Sequence, residues 1–211
     1  MPEEIAIIGA PMDFGQQLRG VDMGPAAVRY TGLISKLRQL GHIVTDLGDV
    51  RIPIRDGDTE PAGDIDKHKY VGKITHVCQA LYDTGAKVIK EGRFPLFLGG
   101  DHSIAVGTVG AATSREAAGL IWIDAHADFN IPQTSPSGNI HGMPLAALLG
   151  EGHPALVNVG RQGAKILPEN VVLIGQRELD PGEKNRLRQS GITTFTMRDI
   201  DEQGISAVAN K

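Results

Sequence analysis

Four runs, at residues 5–10, 94–98, 120–123 and 171–174, are apolar almost without interruption. A strand with one wet face alternates apolar and polar residues, so continuous apolarity means both faces are covered. Such strands belong in a parallel sheet, whose crossover connections lay helices over both sides. Mixed runs at 43–47 and 193–197 read as further strands. The sequence between runs has helical period: Ala27, Tyr30, Leu33, Ile34, Leu37 and Leu40 recur at i, i+3, i+4 spacing, as do Ile74, Val77, Cys78 and Leu81. Gly41 and Gly92 stop these helices before the next strand. Alternating strands and helices predict an α/β fold with right-handed crossovers. At 211 residues the chain is expected to form a single domain over 1–211.

The remaining composition excludes several classes. Net charge is −4 and no basic cluster is interleaved with aromatics, which argues against a nucleic-acid partner. No segment approaches the about 20 apolar residues of a membrane span. The acidic start Met1-Pro2-Glu3-Glu4 is unlike a signal peptide. Cys78 is the single cysteine, so no internal disulfide forms, and a reducing, cytoplasmic compartment is expected. Its place in a helical pattern makes it a passive buried residue. Residues 51–67, rich in Asp, Gly and Pro, read as a surface loop, and 130–142 as a second loop.

Chemistry concentrates where two apolar runs end. Asp124-Ala125-His126-Ala127-Asp128 follows the run 120–123 and places metal-type side chains at every second position. An extended chain aims all three to one side, whereas a helix scatters them. Gly99-Gly100-Asp101-His102-Ser103 follows the run 94–98, its glycines permitting a sharp turn. Ligands of parallel sheets collect beyond the carboxyl ends of strands. If the two strands are near neighbours, His102, Asp124, His126 and Asp128 share one small volume. Mixed carboxylate and imidazole donors suit Mn²⁺, Zn²⁺, Fe²⁺, Co²⁺ or Ni²⁺ better than Mg²⁺ or Ca²⁺. Alone, Asp101 reads as an acceptor for backbone amides. His141, flanked by Gly142 in the second loop, is a candidate proton shuttle, since histidine titrates near neutrality. His42, His68, His76 and His153 lack comparable surroundings and read as structural or solvated.

Taken together, Gly99-Gly100-Asp101-His102-Ser103, Asp124-Ala125-His126-Ala127-Asp128 and Ser137-Gly138-Asn139-Ile140-His141-Gly142 resemble the signatures of the ureohydrolases, the family of arginases, agmatinases and formimidoylglutamases. The similarity runs from Ile7-Ile8-Gly9-Ala10-Pro11 through Asp180-Pro181-Gly182-Glu183 and is strongest to the bacterial arginase branch. The resemblance implies a three-layer α/β/α fold with a mainly parallel sheet, two Mn²⁺ ions and a trimeric or hexameric homo-oligomer. It implies that His102 and Asp128 hold one metal, that His126 holds the other, and that Asp124 bridges them. Hydroxide formed between the ions would attack the guanidinium of L-arginine, with Asp128 and His141 as catalytic residues and His141 protonating the departing amine. Asn130, Ser135 and Ser137 match positions that bind the substrate's α-carboxylate, and Asp180 and Glu183 match those that recognise its α-amino group. The last two also read as an acidic helix start with Pro181 at its first position.

One departure matters. The resemblance implies a later Ser-x-Asp-x-Asp-x-x-Asp-Pro motif and a strand bearing a substrate-binding Glu, and residues 184–211 carry neither. C-terminal strands are therefore expected to be missing between the runs 94–98 and 120–123, leaving edges and apolar surface bare. The expectation is a C-terminally truncated arginase-like chain that by itself binds metal weakly and hydrolyses little arginine. The competing expectation is a short, catalytically dead relative with a binding or regulatory role. Agmatine, which lacks the α-carboxylate, is the alternative substrate.

Overall fold

The computed structural model describes residues 3–54 and 70–211. From residue 55 onward the loop expected at 51–67 lies outside the described residues, as does His68. Among the described residues six strands form: β1 (Glu4–Ala10), β2 (Ile43–Asp49), β3 (Phe94–Gly99), β4 (Leu120–Ile123), β5 (Val171–Gln176) and β6 (Thr193–Thr196). Nine α-helices accompany them among the described residues. The first five are α1 (Gly24–Tyr30), α2 (Leu33–Gln39), α3 (Val71–Lys90), α4 (Ala105–Ala112) and α5 (Pro144–Leu148). Then follow α6 (Pro154–Val157), α7 (Pro181–Ser190), α8 (Met197–Gln203) and α9 (Ile205–Ala209). No helix among the described residues is long and apolar enough to cross a membrane.

Every strand pairing is parallel, as the continuous apolar runs predict. The strands divide into two three-stranded sheets, ordered β2-β1-β3 and β4-β5-β6. The layering follows from the side chains of β1. Ala6, Ile8 and Ala10 join Ile74, Val77, Cys78 and Leu81 of α3 on one face, while Ile5 and Ile7 join Leu33, Ile34 and Leu37 on the other. Both faces of β1 are thus covered, which is why it tolerates no polar alternation. In the second sheet, Trp122, Val171 and Leu173 pack with Leu145, Leu148, Ile166 and Leu187. Ile121 and Ile123, on the opposite face of β4, are exposed.

Strands β1, β2, β3 and β5 run one or two residues beyond the apolar runs, and two further boundaries differ from the sequence pattern. The helical stretch 27–40 is broken between α1 and α2 at Gly32, whose φ of 81° lies in the left-handed region that ends a helix. The run 193–197 loses Met197 to α8, because Thr196 and Asp199 form a capping box that starts a helix there.

Candidate active site

The carboxyl ends of β3 and β4 meet although the two strands lie in different sheets. After β3 the chain turns at Gly100, where a Cβ would crowd the backbone of Ala10 and Met12. Asp101 is buried, accepts the amide protons of Gly15 (2.8 Å) and Ser103 (2.9 Å), and so fixes the turn that presents His102. Trp122 stacks under the His102 ring, with centroids 4.4 Å apart. After β4 the extended geometry expected for 124–128 is not kept: the segment bends, and Asp128 takes a φ of 49°. It is the one non-glycine residue in the left-handed region among those described. That bend turns Asp128 back toward His102. The exits of β4 and β5 are laced together, Asp124 N–H donating to Ile174 O (3.1 Å) and Arg177 N–H to Ala125 O (2.8 Å).

His102 Nδ1 lies 2.6 Å from Asp128 Oδ2 and 3.1 Å from Asp124 Oδ2. Burial opposes protonation of this ring, but the Asp128 hydrogen bond and the charges of Asp128, Asp124 and Asp101 outweigh it and raise the His102 pKa. One donor atom from each of His102, Asp124 and Asp128 lies within 4.8 Å of the others. Metal–ligand bonds of about 2.0–2.2 Å place neighbouring donors about 3–4 Å apart, so this group has the size and chemistry to hold a divalent ion. His126 stands outside it. Its Nδ1 faces the second oxygen of Asp124 at 3.3 Å, so the two oxygens of Asp124 point toward two different histidines.

A cavity of about 410 Å³ opens over this group. Its lining includes every site residue singled out in the sequence: His102, Asp124, His126, Asp128, Asn130, Ser135, Ser137, His141, Asp180 and Glu183. His141 is held through its amide, which donates to Gly15 O at 3.0 Å, and Asn130 N–H donates to Gly142 O at 3.1 Å. The Oγ of Ser135 accepts the Gly138 amide proton (2.9 Å) and that of Ser137 the Asn139 amide proton (3.2 Å). Both hydroxyls keep their own protons to donate. Asp180 and Glu183 form the capping box of α7. Asp180 Oδ2 also accepts from Asn130 Nδ2 (2.9 Å), and Glu183 Oε1 from the Phe129 amide (2.8 Å). Burial raises the pKa of Glu183, aided by the charges of Asp128 and Asp180 and opposed by its two backbone hydrogen bonds. The acidic helix start and the cavity wall are therefore the same residues.

Glu178 and Asn139 also line the cavity and were not singled out in the sequence. Glu178 Oε2 lies 3.7 Å from His126 Nε2. Its signal was available, since a carboxylate two residues before a capping box and just past a strand end lies where ligands collect.

Residues 3–211 match the Arginase family. The chain belongs to that family. Arginase of Bacillus caldovelox is 50% identical over 205 residues, covering 97% of this chain and 68% of that protein. Arginase of Bacillus subtilis is 48% identical, covering 99% of this arginase-family chain and 69% of its relative. The solved structure of the Bacillus caldovelox enzyme superposes with a TM-score of 0.92 at 48% identity, over 99% of this chain and 69% of the other. The chain thus shares the arginase fold and spans about two thirds of the length of these relatives.

Proposed function

We propose that this site hydrolyses L-arginine to L-ornithine and urea, with Mn²⁺ as its metal. The observation that carries this reading is that one cavity joins a cation-holding group to a set of residues suited to an α-amino acid. His102 and Asp128 would hold one ion and His126 the other, with Asp124 between them. Its two oxygens, at 3.1 and 3.3 Å from the two imidazoles, suit that bridging role. When bound, the ions supply hydroxide near neutral pH by lowering the pKa of water.

The rest falls to side chains. A guanidinium is a poor electrophile, and its amine cannot leave as an anion, so a proton must be delivered to the departing nitrogen. His141, on the cavity wall, is the donor in this reading. Ser135 and Ser137 offer hydroxyl protons, and Asn130 an amide proton, to the α-carboxylate. Asp180 and Glu183 place negative charge for the α-ammonium.

Urea release and calorimetric binding, each measured for L-arginine and agmatine with Mn²⁺ supplied, test the assignment. L-arginine is expected to bind at least about tenfold more tightly, because agmatine leaves the carboxylate donors unpaired. Equal affinity for the two would overturn it.

A further inference from the structure

Asn130 and Asp180, which the proposed function assigns to the substrate's α-carboxylate and α-ammonium, are bonded to each other, and Asn130 is bonded in turn to Thr134, a residue to which that function gives no task. Thr134 Oγ1 lies 2.9 Å from Asn130 Oδ1 and accepts the Ile131 amide proton at 3.0 Å. Its one hydroxyl proton has two acceptors in reach, Asn130 Oδ1 at 2.9 Å and Ile131 O at 3.3 Å, and the side-chain oxygen is the nearer. On the other side Asn130 Nδ2 donates to Asp180 Oδ2 at 2.9 Å. Thr134 also sits against the first turn of α7: a Cβ on Gly182 would lie 3.0 Å from Thr134 Cβ and 3.3 Å from its carbonyl oxygen.

We propose that Thr134 is a positioning residue for substrate selection, fixing the orientation of the Asn130 amide and seating it against Asp180. This rests on the reading that Asn130 contacts the substrate's carboxylate. The two ends of an asparagine amide are alike in size and opposite in hydrogen-bonding character. Only the NH₂ end can serve a carboxylate. Asp180 demands a donor from Asn130, so the amide is held from both sides. Once a substrate ammonium draws on Asp180, that demand weakens, and the Thr134 hydroxyl on Oδ1 is the tie that remains. Without it the amide is free to turn its oxygen toward the incoming carboxylate, which repels it. Thr134 therefore acts through Asn130 and bears on α-amino acids, while agmatine, which has no carboxylate, is indifferent to it.

Calorimetric affinities for L-arginine and agmatine, with Mn²⁺ supplied, are compared for the unsubstituted chain, Thr134→Val, Thr134→Ser, Gly182→Ala and Asn130→Ala. Thr134→Val is expected to weaken L-arginine binding about tenfold, the usual loss for one hydrogen bond serving a charged group. Agmatine binding should stay within about twofold, and Thr134→Ser should restore L-arginine affinity. Gly182→Ala, which crowds Thr134 without removing its hydroxyl, should weaken L-arginine selectively while the melting temperature holds, since Ala favours a helix over Gly. It carries the test should Thr134→Val fail to fold. Unchanged L-arginine affinity in Thr134→Val, or in Gly182→Ala if that variant stands in, overturns the proposal when Asn130→Ala does weaken binding. If Asn130→Ala itself has no effect, the underlying carboxylate reading is what fails.

Discussion

Asp128 combines a place in the candidate cation group with a backbone cost. It is buried, bonded to His102, and held at a φ of 49° that L residues seldom adopt. Aspartate and asparagine enter this region more readily than other branched or bulky residues, since their short side chains bond locally. Asp128→Asn is therefore expected to keep more stability than Asp128→Ala, by about 1 kcal/mol in urea unfolding. Equal stability of the two variants would show that the left-handed turn is not what the side chain sustains. The convergence of the candidate site residues was legible in the sequence. Alternating Asp-x-His-x-Asp after an apolar run is a poor structural pattern, and the structure sets all three on one cavity. What spacing could not convey is that the segment bends rather than extends, or that His126 stands apart from the group formed by His102, Asp124 and Asp128. Those details depend on contacts with residues about 50 positions away, such as the bond from Gln176 Nε2 to Asp124 O.

Elements are held in place by close approach as well as by apolar burial. Helices α3 and α4 pack where Gly107 faces the backbone of Cys78, and a Cβ at Gly107 would overlap the Cys78 carbonyl. Gly107→Ala is accordingly expected to cost about 1–3 kcal/mol despite its better helix propensity, measured as a lower midpoint in urea. A stabilised variant would mean that the two helices separate without penalty. Strand positions were legible because burial on both faces writes itself into composition, as in Ile5 to Ile8 of β1. Helix α4 was not, since its sequence Ala-Val-Gly-Thr-Val-Gly-Ala-Ala is small and apolar all round and shows no stripe. The junction of β6 and α8 was legible in principle, through the Thr-x-x-Asp cap at Thr196 and Asp199.

At the scale of the molecule, six parallel strands are divided between two sheets whose inner edges, β3 and β4, each pair with one neighbour among the described residues. No local pattern encodes which strands pair, so this division lay beyond composition and spacing. Phe94, Ile121 and Ile123 stand exposed on these edge strands, at 56%, 68% and 77%. Bare edges beside apolar side chains favour association. Concentration-dependent light scattering is expected from the chain, and Ile121→Lys with Ile123→Lys should reduce it. Scattering unaffected by that pair would place the sticky surface elsewhere. The central claim is that the tips of β3 and β4 form a cation site within a substrate cavity. Mn²⁺ titration followed by electron paramagnetic resonance tests it most directly, on the chain and on His102→Ala and Asp124→Asn. The account predicts saturable Mn²⁺ binding that each substitution weakens at least about tenfold while far-UV circular dichroism is retained. Binding left equally strong in both variants, or no binding to the unsubstituted chain, would contradict it.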